Sequence, residues 1–150
     1  MKKTIVLLLL SLLLLFSCKS RESSSFSLEE KEREILVSIG NKNYRALSSD
    51  NASSSAFLAL LEKGELVVDM HDYGNFEKVG PLGESIVRCD EHITTKPGDI
   101  ILYQGDKIVL YYDTNTWSFT SLAHIPNVTR EELLAVLGEG DVRVTFSLLE

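Results

Sequence analysis

Residues 98–112 read GDIILYQGDKIVLYY. Two apolar runs, Ile100–Leu102 and Ile108–Tyr112, stand on either side of Gly105-Asp106, and Pro97-Gly98 precedes the first. Short runs rich in β-branched and aromatic residues, separated by a glycine-aspartate turn, are the pattern of a tight β-hairpin. Extended to Thr120, the stretch also holds Gln104, three tyrosines and Trp117, the only tryptophan of the chain. It is therefore either the hairpin of a β-barrel or the wall of a binding site, and its neighbours decide the fold first.

Downstream, WSFTSLAHI (117–125) reads as another strand. NVTREELLAVLGEG (127–140) reads as a short helix, in which Thr129 and Glu132 have the spacing of a capping box. In DVRVTFSLL (141–149) Val142, Val144, Phe146 and Leu148 alternate as in a half-buried strand. Upstream, EILVSIGNKNYRAL (34–47) predicts a hairpin about Gly40-Asn41. Asp50 or Asn51 caps a helix of about three turns whose apolar stripe is Ala56, Phe57, Leu60 and Leu61, with Gly64 just past its end. ELVVDMH (65–71) follows as a strand. DYGNFEKVGPLGESI (72–86) reads as a glycine-rich connection leading to a weaker strand around Ile86. Many short strands with two helices argue for a closed or nearly closed barrel with helical caps.

The N-terminal part is different in kind. MKKTIVLLLLSLLLLFSC has two lysines, an apolar run from Ile5 to Phe16, then Ser17 and Cys18. The run is well short of the ~20 residues of a membrane-spanning helix, and the order matches an export signal. Leu15-Phe16-Ser17-Cys18 resembles a bacterial lipobox, which implies cleavage before Cys18 and acylation of its thiol; the alternative is an ordinary secretory signal with a chance cysteine. We expect a signal peptide over 1–17, a lipidated, serine-rich and charged tether over 18–33, and one folded domain over 34–150. The expected location is the bacterial cell envelope.

Charge and cysteine usage narrow the function classes. Without residues 1–17 the chain has 13 basic and 22 acidic residues, a net charge of −9. Phosphate neutralisation needs clustered lysine and arginine, so nucleic acid is not an expected partner. Beyond Cys18 the single cysteine is Cys89, which cannot form a disulfide or a cysteine metal site alone and is expected as a small buried hydrophobe. His71, His92 and His124 fall on separate segments, Ser118 and Ser121 lack evident His and Asp partners, and GEGD (138–141) is not a phosphate loop. No cofactor, metal or catalytic residue is expected.

With these elements in place, DNASSSAFLALL, DYGNFEKVGPLGESI, PGDIILYQGDKIVLYY and NTWSFTSLAHI resemble, in order and spacing, the bacterial cyclophilin-like domain family. The resemblance runs from about Glu34 to Glu150. It implies a mainly β, cyclophilin-like eight-stranded barrel capped by two short helices. In that family the domain occurs alone, behind lipoprotein signals or beside flavodoxin-like domains, which makes an accessory role to a redox flavoprotein a weak third reading. True cyclophilins use an arginine, with a nearby phenylalanine and glutamine, to lower the roughly 18–20 kcal/mol barrier to prolyl rotation. That pattern is not found around Arg45, Arg88, Arg130 or Arg143, nor around Gln104.

The remaining candidates are ligand contacts. Glu77, beside Lys78, reads as a carboxylate at a pocket rim, or as a solvated loop charge or a hydrogen-bond partner of the backbone. Phe76 and Val79 read as core plugs before ligand contacts. Tyr73 and Trp117 read as groove walls or core aromatics, and Tyr103 and Gln104 lie next to the hairpin turn. The expectation is a ligand- or protein-binding module anchored to the membrane by lipid, with Tyr73, Glu77, Tyr103, Gln104 and Trp117 as its contacts. The alternative is a divergent peptidyl-prolyl isomerase or folding assistant.

Overall fold

A computed structural model describes residues 33–149. The expected signal peptide, Cys18 and the tether up to residue 32 lie outside the described residues. Arg33, expected as the last tether residue, is tied to the fold: its backbone N–H donates to Ser48 Oγ (3.0 Å) and its guanidinium meets Glu62 (2.6 Å).

The chain forms β1 (Glu34–Ile39), β2 (Lys42–Ser48), α1 (Ala52–Leu61), β3 (Leu66–Tyr73) and β4 (Glu77–Pro81). It continues through β5 (Glu91–Thr94), β6 (Asp99–Tyr103), β7 (Lys107–Tyr111) and β8 (Thr116–His124) to α2 (Arg130–Leu137) and β9 (Val142–Leu148). The strands make one sheet in the order β2-β1-β9-β3-β4-β7-β6-β8-β5, and every pairing is antiparallel. A further pairing joins β2 to β8 through Leu47↔His124 and Ser48↔Ala123. Eight strands thus follow one another around a ring, and β5 hangs from β8 outside it.

Two strands differ from the expectation. The connection over 72–86 contains β4, and the weaker strand expected around Ile86 is a loop held to the β6–β7 turn by Leu82 N–H to Asp106 O and Ile86 N–H to Gly105 O (both 2.9 Å). The strand that follows is β5, five residues later.

Alternation explains β1, where Ile35, Val37 and Ile39 are buried and the residues between them are half-buried. Both helices cap as their sequences require. The Asn51 side chain accepts from Ser54 N–H, and Thr129 and Glu132 complete a capping box. Helix α1 buries Ser53, Ser54, Phe57, Leu58 and Leu61, so its inner face is partly polar.

The hairpin β6–β7 is buried on both sides, which is why it reads as continuous apolar runs rather than alternation. Ile100, Leu102, Ile108 and Leu110 join the main core with Phe57, Leu133 and Phe146. Ile101 and Val109 join a second, smaller cluster with Val79, Tyr111 and Phe119. That second cluster is the floor of the site described next.

Candidate functional site

Over the smaller cluster lies a cavity of about 530 Å³. Strand register explains what it contains. Tyr73 pairs with Glu77, and Glu77 pairs with Tyr111, so a carboxylate lies between two tyrosines on adjacent strands. Same-face neighbours across antiparallel strands bring their Cβ atoms within about 4.5–5.5 Å. Two register pairs on, and so on the same face, His71 pairs with Val79, and both also line the cavity.

The β3–β4 turn supplies Phe76. Gly74 and Asn75 both adopt positive φ (64° and 59°). A Cβ at Gly74 would lie 2.2 Å from the Phe76 ring, so a glycine there lets that ring fold back over the turn. Phe76 stacks on Tyr111 (6.1 Å between centroids, 7° between planes), and its edge meets Tyr73 at 6.2 Å. Tyr111 continues the row to Phe119 at 5.6 Å.

The opposite wall is the tip of β6–β7. Gln104 lies in the left-handed region at φ 53° and Gly105 at 85°, so the turn is Gln104–Asp106 rather than Gly105-Asp106 alone. The Gln104 amide donates to the Tyr103 hydroxyl (3.3 Å). The Lys107 ammonium donates to Asp106 (2.8 Å) and to Gln104 Oε1 (3.5 Å). Asn115 and Trp117, from the start of β8 and the loop before it, close the remaining side.

All five residues expected as contacts, Tyr73, Glu77, Tyr103, Gln104 and Trp117, therefore line one cavity. Trp117 and Tyr73 are not core residues: they are 65% and 61% exposed. Glu77 is not a solvated loop charge, since it is only 8% exposed and lies in a strand. Phe76 and Val79 serve both purposes, packing the second cluster and lining the cavity. Sequence reasoning missed Lys107, Tyr111, Asn115 and Phe119, and it considered His71 only as a metal ligand. Reading NFEKVGP as a strand antiparallel to KIVLYY would have set Tyr111 opposite Glu77.

Burial pushes the Glu77 carboxyl above the ordinary range; the Tyr111 hydroxyl opposes this and the charge of Asp72 reinforces it. The Tyr111 phenol is raised, by burial first and then by Glu77. On the other side of β4, Lys78 is fully buried and meets Asp72 (2.9 Å) and the carbonyls of Gly138 (2.9 Å) and Gly140 (2.8 Å). The Asp72 carboxyl, raised by burial, is brought below its usual value by Tyr112 and Lys78.

The sequence model of the Cyclophilin-like family matches residues 37–147. The chain belongs to the cyclophilin-like family. No curated protein compared with it matches. In this cyclophilin-like domain the cavity is bounded by the β3–β4 turn, the β6–β7 tip and the start of β8.

Other candidates lie elsewhere. Cys89 is half-buried rather than buried; a hydrogen bond from Ser53 lowers its thiol, and its backbone N–H donates to Thr120 Oγ1. His124 Nδ1 lies 2.8 Å from Asp99 Oδ1, on the far end of β8 from Trp117. Among the described residues, no three His, Cys, Asp or Glu side chains are grouped to hold a metal, and no helix is long and apolar enough to cross a membrane.

Proposed function

We propose that the chain is a lipid-anchored protein of the bacterial cell envelope, acylated at Cys18, whose cyclophilin-like domain is a binding module. On this reading the ring is an eight-stranded barrel with β5 added outside it. A peptide or protein segment enters the cavity and contacts Tyr73, Glu77, Tyr103, Gln104 and Trp117. One observation carries the reading: Tyr73, Tyr103 and Trp117, three of the chain's exposed large hydrophobic side chains, are gathered around a single cavity. Scattered exposed aromatics are ordinary, whereas a cluster around a concave site is characteristic of recognition surfaces.

The alternative, a divergent prolyl isomerase, needs a donor aimed at the imide nitrogen. The described arginines are paired with carboxylates: Arg33 with Glu62, Arg45 with Glu34, Arg88 with Asp90, Arg130 with Asp113 and Arg143 with Asp69. None of them lines the cavity.

Because Trp117 is the only tryptophan, its fluorescence reports this cavity alone. The test titrates the purified chain with proline-containing tetrapeptides whose flanking residues are acidic, basic or apolar, and follows cis–trans exchange of the same peptides by NMR. A saturable change at Trp117 without faster exchange is expected. Faster exchange would make the domain an isomerase. A flat response to the whole panel would remove peptide binding from the cavity. Anchoring is checked separately, by detergent-phase partitioning of the chain and of its Cys18→Ala variant, and only the variant is expected in the aqueous phase.

A further inference from the structure

Glu77 is the feature that a merely apolar groove does not explain. Glu77 as a residue is more than nine-tenths buried and lines the cavity, yet no basic side chain among the described residues lies within ion-pair distance of its carboxyl group. The nearby cations are engaged elsewhere. Lys107, on the cavity wall, is held by Asp106, and Lys78, next in the chain, points to the other face of β4 and meets Asp72. Arg88, against the hairpin tip, pairs with Asp90. A buried carboxylate without a counter-charge is costly, and native proteins usually pair it.

The surroundings of Glu77 suit one kind of partner. Tyr73 and Tyr111 flank it, Phe76 stacks on Tyr111, and Tyr103 and Trp117 form the outer wall. Electron-rich ring faces around a carboxylate attract organic cations, by cation–π contact outside and by charge inside. The same rings accept an apolar stem, which a small hydrated metal ion lacks.

We propose that the group this cavity holds is an organic cation, an ammonium or guanidinium on an apolar stem, with Glu77 as its counter-ion. The proposal rests on the reading of the cavity as a binding site and names what enters it. Lysine or arginine side chains of a partner and free amines share this chemistry. Burial raises the Glu77 carboxyl, and a cation bound beside it would lower it again.

The test uses the full chain in non-ionic detergent, with Trp117 fluorescence as readout. One pair of probes is acetyl-Gly-Lys-Gly-amide and the same peptide acetylated on the lysine nitrogen. The other is choline and its neutral isostere 3,3-dimethylbutan-1-ol. At least one charged probe is expected to bind about tenfold or more tightly than its neutral counterpart. Discrimination in the lysyl pair identifies a partner's basic side chain as the source; discrimination only in the choline pair identifies a free ammonium. Glu77→Gln is expected to bring the charged-to-neutral ratio close to one. Equal binding of charged and neutral probes, or a ratio unaltered in Glu77→Gln, overturns the proposal and leaves the cavity as a binding site. The absence of a saturable response to all four probes overturns the proposal, and the tetrapeptide panel then decides whether the cavity binds peptides at all.

Discussion

Glu77 and Lys78 are neighbours in sequence, both buried, and chemically separate, because consecutive residues of a strand face opposite sides. Lys78 has its donors satisfied by two carbonyls and Asp72, and Asp72 also accepts from the Tyr112 hydroxyl (2.7 Å). Lys78→Met would fill much the same volume but leave Asp72 without its cation. The expected cost is about 3–5 kcal/mol, as for removing one partner of a buried pair, measured as a lowered urea midpoint. A loss below ~1 kcal/mol would mean that Asp72 and the carbonyls find water instead. Glu77→Gln acts in the opposite sense. The folded state holds the Glu77 proton above the ordinary value of 4.5, so wild-type stability falls as pH rises from there through the raised folded value. Urea unfolding at pH 4 and pH 7.5 should show the variant gaining on the wild type as pH rises. A difference independent of pH would mean that Glu77 ionises as easily folded as unfolded. In the sequence the two residues look like an exposed charge pair; only the strand places one carboxylate in a cavity and one ammonium against backbone.

At the scale of the element, β4 is where sequence and structure part. EKVGP carries two charges, a glycine and a proline in five residues, and each of these argues against a strand interior. It pairs with β3 and β7 nonetheless, with Pro81 at its end and exposed. Gly80 is required by packing. A Cβ there would lie 2.4 Å from Val68 Cγ1 and 2.9 Å from the Asp69 carbonyl oxygen, and backbone cannot swing aside as a side chain can. Gly80→Ala should therefore cost roughly 1–3 kcal/mol, seen as a melting temperature lower by about 5 °C or more. An unchanged melting temperature would mean that β3 shifts freely against β4. β5 was illegible for another reason: four residues, one half-buried, paired only with β8, leave no periodicity to read. Where one face meets the core and the other meets water, as in β1, β3 and β9, alternation was enough. The five contact residues could be picked from their types and their nearness to expected turns, whereas Lys107, Tyr111 and Phe119 enter through register, which types alone do not reveal.

At the scale of the molecule, the ring has one weak seam. The other neighbouring strands of the ring share three to six register pairs, but β2 meets β8 through two. The serine-rich run before and within α1 reinforces that seam. Ser49 N–H donates to Leu122 O (2.9 Å), and Ser49 Oγ meets Ser121 Oγ at 2.8 Å. The Asn51 amide donates to Ser121 O (2.8 Å), and Ser54 Oγ donates to Leu122 O (2.7 Å). Asn51 therefore has two tasks, capping α1 and holding β8. Asn51→Ala removes both, at about 1 kcal/mol for the cap and about 1 kcal/mol for the second hydrogen bond. The loss should not be spread evenly, because regions with few pairings open below the global free energy. Amide hydrogen exchange at Ser49, whose N–H crosses the seam to Leu122 O, should accelerate roughly tenfold or more, while Leu102 and Val109, in the doubly covered hairpin, change only as far as the global stability does. Equal acceleration at both places would show that the seam opens only when the whole domain unfolds. Acceleration confined to the seam would show that the ring opens at α1 while the hairpin that floors the cavity stays closed.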